Sequence, residues 1–203
     1  MPRTPVDVRR AELIAAALRV VSARGLGAAS IRTIVAEAGM SLASFHYAFS
    51  SRDELLDTLI ADVLEKEERA VLPEQLSGKG LCELLEEGLL GYFDHLRTNP
   101  QYELAMLELT QFALRTRPRM AEAQYAEYAR IAGASLELAA THTGCRWTLP
   151  VPDAAKMLVA FTDGLTLGWL VDRDDEAART MIHAIAQSLA ALAVPVAPGG
   201  AAR

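Results

Sequence analysis

The sequence lacks the features that mark disulfide-rich, metal-binding or membrane proteins. Its two cysteines, Cys82 and Cys145, lie 63 positions apart with no second Cys or His at ligand spacing, so neither a disulfide framework nor a zinc site is supported. The N-terminus, MPRTPVDVRR, has no apolar signal core, and polar residues interrupt the apolar runs well before about 18 positions. We therefore expect buried thiols, no metal, no membrane span and a cytoplasmic location.

The motifs of the common enzyme classes are also missing. There is no nucleophile elbow, no phosphate-cradling glycine loop, no H-E-x-x-H and no Glu-x-x-His pair of the kind used by di-iron bundles. The four histidines are scattered over separate segments. The sequence therefore predicts no catalytic residues and no cofactor.

The charge is unevenly distributed along the chain. The net charge is −6, yet residues 1–52 hold seven arginines against three acidic residues, a local balance of +4. The other 151 residues carry 13 basic and 23 acidic side chains. A basic N-terminal quarter on an acidic protein is the pattern expected if only that quarter meets nucleic-acid phosphates.

The N-terminal quarter reads as short helices separated by caps and glycines. Apolar residues at three- and four-residue spacing predict a first helix over Arg9–Arg24, which Gly25 ends. Ser30 and Ser41 are N-cap candidates for two short helices separated by Gly39. Two short helices joined by a glycine-containing turn are how a small domain presents one helix to the DNA major groove. Ser51 and Glu54 form an S-x-x-E capping box that opens a long fourth helix.

The rest of the chain is helical by every local signal, and no convincing strand alternation follows Pro73. The fold class is therefore all-α, with about nine helices: a three-helix helix-turn-helix head and a larger helical body. The predicted domains are 1–52 for the head, 53–193 for the body and 194–203 for a disordered tail. The predicted body helices cover roughly 79–97, 99–116, 118–142, 153–171 (capped by Asp153) and 175–193, with RWTLPVP as a loop.

Residues 13–55 closely resemble the DNA-binding domain of TetR-family transcriptional repressors. The pattern runs without a gap through Leu13-Ile14, Ala16-Ala17-Leu18, Arg24-Gly25, Ser30, Ile34, Ala38-Gly39, Ser41, Phe45, Phe49, Ser51-Arg52 and Leu55. The chain departs from the family at His46, where Tyr is usual, and at Arg52, often Lys. The resemblance implies an all-helical, ligand-responsive DNA-binding regulator, a repressor that a small molecule releases from a palindromic double-stranded operator.

The candidate DNA contacts lie on the second and third helices and at the start of the fourth. Counting 100° per residue places Phe45 and Phe49 in the core and turns Tyr47 outward. We expect Arg32 to read guanine and Arg52 to clamp a phosphate, with Arg3, Arg9 and Arg10 adding contacts from a mobile arm. The full set is Arg32, Thr33, Ser41, Leu42, Ala43, Ser44, His46, Tyr47 and Arg52.

The last two predicted helices have faces suited to pairing two copies of the chain. Ala160, Gly164 and Gly168 recur every four residues, and glycine within a helix costs up to about 1 kcal/mol, which suggests that another backbone comes close. Tight packing inside one monomer is the alternative. The predicted homodimer interface comprises Met157, Ala160, Phe161, Gly164, Gly168, Met181, Ile185, Ser188 and Leu192.

The body is also expected to hold a small-molecule effector between its helices. The candidate lining is Phe93, Tyr102, Met106, Phe112, Tyr125, Tyr128, Asp163 and Trp169, with His95, Glu103 and Glu108 as further polar groups. For each of these aromatic residues taken alone, plain core packing is the alternative, because aromatic residues at helical spacing need no ligand to explain them. The alternative function is a helical dimeric adaptor or regulator without a small-molecule effector.

Overall fold

The computed structural model describes residues 5–70 and 77–196, and within them the fold is almost entirely helical. This confirms the predicted all-α class. The elements in chain order are α1 (Val6–Arg24), a 3-10 turn (Leu26–Ala28), α2 (Ile31–Glu37), α3 (Leu42–Ala48), α4 (Arg52–Ala70), α5 (Leu81–Thr98), α6 (Pro100–Thr116), α7 (Pro118–His142), β1 (Cys145–Trp147), α8 (Val151–Asp172), α9 (Asp175–Ala190) and β2 (Ala193–Pro195).

The described residues form two compact units. The first unit comprises residues 5–66 and 99–124, and the second comprises 67–70, 77–98 and 125–196. The first unit therefore contains α6 as well as the predicted head. The predicted boundary after residue 52 separates a DNA-binding head from an effector-binding and dimerisation body, and this boundary stays a prediction.

The core of the first unit forms where α1, α2, α3 and α4 turn their apolar faces inward. Phe45 and Phe49 are 0% and 1% exposed, and their ring centroids lie 5.8 Å apart. This confirms the core placement deduced from helical spacing. Two buried aromatic rings fix the orientation of α3 because any rotation of that short helix would expose them.

The core of the second unit combines α5, α7, α8 and α9. Phe93 packs edge-on against Trp169, with ring centroids 5.8 Å apart, and both side chains are buried. The indole Nε1 of Trp169 donates a 2.8 Å hydrogen bond to Asp175, so its polar atom is satisfied at the edge of the core. Leu84, Leu89, Leu96, Leu136, Leu165, Ile182 and Leu189 complete this core.

Some predicted boundaries are wrong. Helix α1 already begins at Val6, so Arg9 and Arg10 lie on a helix and not on a mobile arm, while Arg3 lies outside the described residues. Helix α8 begins at Val151 behind Pro150, and Pro152 occupies its first turn, where a missing N–H has no cost. Asp153 is therefore an acidic residue of the first turn and not the cap.

A two-stranded antiparallel sheet replaces part of the predicted loop and tail. β1 pairs with β2 so that Arg146 lies opposite Val194, and helix α9 consequently ends at Ala190, before the predicted residue 193. Three-residue strands are too short to produce a visible alternation, and their partners are separated by α8 and α9. Residues 197–203 of the predicted tail lie outside the described residues.

Helix α8 is the one described helix that is long and apolar enough to cross a membrane by length and composition. Its most apolar 18-residue window has a mean hydropathy of 1.3 and is 33% buried. Lys156 and Asp163 interrupt its apolar run, as the sequence indicates, and the expectation of no membrane span stays a prediction. Part of the apolar surface of α8 packs in the core of the second unit, and the rest, which includes Leu167 and Val171, is exposed.

Candidate DNA-binding surface and ligand site

The turn between α2 and α3 is built by two serine caps and one glycine. The Oγ of Ser30 accepts from the backbone N–H of Thr33, and the Oγ of Ser41 accepts from that of Ser44, each at 3.1 Å. Both predicted caps are confirmed. Gly39 has a φ of +64°, a left-handed conformation that a side chain disfavours. The helix-turn-helix geometry is therefore specified locally.

The outer face of α3 is exposed and mixes apolar and hydroxyl groups. Leu42 and Tyr47 are 47% and 55% exposed, although both are large and partly apolar. Arg32 on α2 is exposed as well. None of the nine predicted DNA-contact residues is buried, and all of them lie in the first unit.

A contact from α1 adds positive charge to this face. The guanidinium of Arg9 lies over the ring of Tyr47, 5.1 Å from its centroid, in a cation–π arrangement. The sequence did not indicate this pair because its members are 38 positions apart. Arg9 therefore carries its charge beside the third helix from a fixed position.

Arg52 holds the turn that precedes α2. Its Nε donates to the carbonyl oxygen of Ala29 at 2.6 Å, and its Nη2 donates to that of Leu26 at 2.9 Å. Arg52 therefore has a structural role in addition to the predicted phosphate contact. Hydrogen bonds to carbonyl oxygens leave its positive charge in place, so the phosphate contact stays a prediction.

Glu54 and Arg10 join the start of α4 to α1 and α3. The backbone N–H of Glu54 donates to the Oγ of Ser51 at 3.1 Å, as the capping box predicts. The carboxylate does not return to Ser51, however; it accepts from the N–H and hydroxyl of Ser50 at 2.8 and 2.7 Å. These bonds, together with one from Arg10, lower the pKa of Glu54 to about 2.

Arg10 is a structural residue of the head. Its guanidinium lies 4.1 Å from the ring centroid of Phe49 and donates to the carbonyl oxygen of Ala48. It also forms a 3.1 Å ion pair with Glu54. Because Arg10 is committed to these groups, the DNA contact expected from a mobile Arg10 is not supported by its position.

Helix α6 is tied to the head within the first unit. Glu108, expected to make a pocket polar, instead accepts a hydrogen bond from the backbone N–H of Leu26. Arg117, just beyond α6, donates to Asp57 on α4 at 2.9 Å. Both contacts join residues about 60 to 80 positions apart, so the local pattern could not reveal them.

An exposed apolar face runs along α8 and α9. On α8, Met157, Leu167 and Val171 are 37%, 56% and 79% exposed, and Met181 on α9 is 45% exposed. A Cβ built on Gly164 or Gly168 would meet nothing within 4 Å in the same chain. Close packing inside one protomer therefore does not explain these two glycines. We call this surface the α8–α9 face.

The predicted interface residues divide into two groups on this surface. Ala160, Gly164, Gly168 and Ser188 are exposed, whereas Phe161 and Leu192 are partly buried. Ile185 is 5% exposed because it faces the core of its own protomer, so its predicted place in the interface is wrong. Sequence spacing missed Leu167 and Val171, which lie on the same side of α8 as Gly164.

The predicted ligand-lining residues are divided between the two units. Tyr102, Met106 and Phe112 belong to the first unit, and the other five belong to the second. Phe93 and Trp169 are core residues, which leaves Tyr125, Tyr128 and Asp163 as the group that the second unit brings together. The hydroxyl of Tyr125 donates to Asp163 at 3.0 Å, and its ring centroid lies 5.5 Å from that of Tyr128.

The side chains of Tyr125 and Asp163 perturb each other. Burial and the nearby carboxylate raise the pKa of Tyr125 to about 12. Burial also raises the pKa of Asp163, an effect that the hydrogen bond from Tyr125 opposes.

Across residues 5–70 and 77–196, His, Cys, Asp and Glu form no group of three that could hold a metal ion.

Family models match both parts of this architecture. The model of bacterial regulatory proteins of the tetR family matches residues 13–59, and that of the C-terminal domain of BetI-type transcriptional repressors matches residues 83–194. The chain belongs to the TetR family. Its head is a DNA-binding domain, and the protein is a transcriptional regulator and not an enzyme, as the sequence predicted.

Relatives of known name or structure agree with this assignment. The nicotine-responsive transcriptional repressor HdnoR of Paenarthrobacter nicotinovorans is 28% identical over 82% of this chain and 86% of its own length. The multidrug binding protein EbrR, solved with imidazole, is 29% identical, with a TM-score of 0.68 over 97% of this chain and 99% of its own. A transcriptional regulator from Rhodococcus sp. Rha1 shares the fold, with a TM-score of 0.74 at 19% identity over 93% of this chain and 99% of its own.

Proposed function

We propose that this TetR-family protein is a cytoplasmic homodimeric repressor that binds a palindromic operator and is released from it by a small organic effector. The observation that carries the proposal is the combination, in one chain, of an exposed α3 in a basic head and an exposed apolar α8–α9 face. A DNA reader of this kind gains specificity when two heads are spaced to meet successive major grooves, about 34 Å apart.

The head supplies only modest base recognition. Leu42 and Ala43 offer apolar groups that fit thymine methyls, and Ser44 and Tyr47 offer hydroxyls that accept several base edges. Arg32 is the side chain best suited to a bidentate contact with guanine. Specificity therefore depends on Arg32, on DNA shape and on the spacing of two half-sites.

The α8–α9 face supports dimerisation. Its exposed methionine, leucine and valine side chains form a stripe at helical spacing, and contiguous apolar surfaces of this kind usually mark protein interfaces. Gly164 and Gly168 sit on this stripe, where the absence of a Cβ lets another helix approach. We assign this face to a four-helix interface made of α8 and α9 from two protomers.

An effector is supported by the relatives. One is named as nicotine-responsive, and EbrR has been solved both with imidazole and with malachite green. In this chain the effector would favour a conformation with lower DNA affinity. It can do so only by binding that conformation more tightly than the DNA-bound one.

The experiment is a gel shift with the DNA upstream of the protein's own gene, in the presence of excess random DNA. A shift that persists in excess random DNA, and that an unlabelled palindromic fragment of the upstream DNA competes away, supports the proposal. Binding that random DNA abolishes at equal mass would contradict it and favour a dimeric adaptor. A thermal-shift screen of small molecules on the free protein, repeated with bound operator, then identifies compounds that prefer the free form.

A further inference from the structure

The turn between α6 and α7 carries the densest positive charge outside the head. Residues 109–121 contain Arg115, Arg117 and Arg119 and no acidic residue. The chain beyond residue 52 is otherwise acidic, with 13 basic against 23 acidic side chains. We call residues 115–119 the basic turn. Its charge is opposite in sign to the balance of the segment that contains it.

Arg117 anchors the basic turn to α4. Its Nη2 donates to the carboxylate of Asp57 at 2.9 Å, and its Nε lies 3.9 Å from the carboxylate of Asp53. Asp53 directly follows Arg52, the predicted phosphate clamp, and all of these residues belong to the first unit. The basic turn is therefore fixed beside the first two turns of the helix whose start is expected to contact the DNA backbone.

Arg115 and Arg119, at the two ends of the basic turn, are exposed. Among the residues that the structure describes, no carboxylate forms an ion pair with either of them. In the second unit, by comparison, the guanidinium of Arg130 lies 2.7 Å from Glu127. The two outer arginines of the turn therefore present charged hydrogen-bond donors to the solvent.

The neighbouring acidic residues do not neutralise this charge. Glu108 accepts a hydrogen bond from the backbone N–H of Leu26 and is committed to the head. The three arginines of the turn and Arg52 together exceed the two carboxylates of α4 near them, Asp53 and Asp57, by two charges. A local excess of arginine next to a DNA-binding surface favours phosphate as the partner, because a guanidinium can donate two parallel hydrogen bonds to it.

We propose that the basic turn is a second contact with the DNA backbone, in which Arg115 and Arg119 bind phosphates near those bound at the start of α4. The contact is with the backbone and not with base edges, so it raises the affinity for any DNA and leaves the preferred sequence unchanged. Arg117 is a positioning residue, since its own charge is used on α4. This inference rests on the proposed function, because it extends the DNA-binding surface of the same regulator.

The test measures how the affinity for DNA depends on salt. Fluorescence anisotropy of the full-length protein is recorded with two fragments of equal length, the upstream DNA and a random sequence. Each lost phosphate contact lowers the slope of log affinity against log salt by about 0.9. We therefore expect the double variant Arg115→Gln with Arg119→Gln to lose about two to four units of slope per dimer. At about 100 mM salt it should bind both fragments about tenfold or more weakly.

Two matched variants separate a local contact from the effect of net charge. Arg130→Gln with Arg146→Gln removes the same charge at exposed positions of the second unit and should leave the slope unchanged. Arg115→Lys with Arg119→Lys keeps the charge of the basic turn and should keep most of the slope. Thermal denaturation of each variant checks that it is folded.

An unchanged slope in the double glutamine variant overturns the proposal and leaves the basic turn as a surface for another partner, such as an acidic protein. An equal loss in the variant of the second unit overturns it as well, because net charge would then explain the effect.

The outcomes also separate this inference from the proposed function. A wild type that binds upstream and random DNA equally well loses the proposed operator, yet its slope on random DNA still tests the basic turn. A protein that prefers the upstream DNA and keeps its slope in the double glutamine variant retains the proposed function and loses this inference.

Discussion

The carboxylate of Glu108 on α6 accepts a hydrogen bond from the backbone N–H of Leu26, in the turn that leads into the helix-turn-helix. Gly25, just before it, has a φ of +76°, and a Cβ there would lie 3.1 Å from the Glu108 Oε1. The positive φ favours glycine at this position, and a Cβ there would also require the Glu108 carboxylate to shift by a few tenths of an ångström. Helix α6 therefore supports the turn that leads into the helix-turn-helix, and both belong to the first unit.

We expect Glu108→Ala to lower the free energy of unfolding by about 1 kcal/mol, because the N–H of the largely buried Leu26 loses its charged acceptor. Denaturant melts measure this change. Gln111→Ala, at an exposed position on the same helix, serves as the control and should be close to neutral. Equal stability of Glu108→Ala and wild type would show that water replaces the carboxylate without cost.

Arg52 offers a way to separate structure from DNA contact. Arg52→Ala should weaken binding to specific and random DNA alike and reduce the slope of log affinity against log salt by about one unit per head. It should also lower stability, because the carbonyl oxygens of Leu26 and Ala29 lose their donors. Arg52→Lys should restore most of the salt slope but not the stability, since an ammonium cannot reproduce the planar fork. An unchanged slope in Arg52→Ala would contradict the phosphate contact.

Arg32 should read one base pair per half-site. We expect Arg32→Ala to relax the preference at that position by about 1–3 kcal/mol while other positions keep theirs. Selection from a randomised operator library measures the change. Arg24→Ala removes an equal charge at another exposed site of the head and should alter affinity without altering the preferred sequence. Identical selected sequences for Arg32→Ala and wild type would exclude a reading role.

The α8–α9 face should hold two protomers together. Leu167→Asp places a charge in the middle of the proposed interface, where an unpaired charge would be desolvated, so we expect a monomer by light scattering at micromolar concentration. Leu114→Asp, at a position 65% exposed in the first unit, is the matched control and should remain dimeric. A wild-type protein of monomeric mass would contradict the proposed dimer directly.

Glu54 should make the head sensitive to acid. Its pKa falls from the ordinary 4.5 to about 2 in the folded protein, so its ionised form stabilises the fold at any pH above about 4.5. That stabilisation is lost progressively as the pH falls from about 4.5 towards 2. Glu54→Gln should flatten the fall in melting temperature over this range. Glu12→Gln, on the exposed side of α1, should leave the fall unchanged.

The helix-turn-helix could be predicted closely from the amino-acid sequence because its determinants are local. Serine caps act within three residues and Gly39 acts through its own backbone, so the sequence alone is enough to place Ser30, Ser41 and the turn between them. The spacing of Phe45 and Phe49 likewise determines which side of α3 is buried. These features depend on neighbours along the chain.

The remaining features depend on residues distant in sequence. The predicted phosphate clamp Arg52 also braces carbonyl oxygens more than 20 residues away, and Ile185 faces its own core although its helical spacing fits the interface. The pairing of β1 with β2 spans two helices, and the contact between Tyr125 and Asp163 joins two helices 38 positions apart. Periodicity gives the direction of a side chain around its helix but not the element that it meets.

The most direct test of the central claim is fluorescence anisotropy of the upstream DNA fragment, titrated first with protein and then with a compound that stabilises the free protein. We expect saturation at one dimer per palindromic site, followed by release of the DNA as the compound is added. If no upstream fragment binds more tightly than random DNA, or if no stabilising compound changes DNA binding, the account of an effector-controlled repressor is wrong.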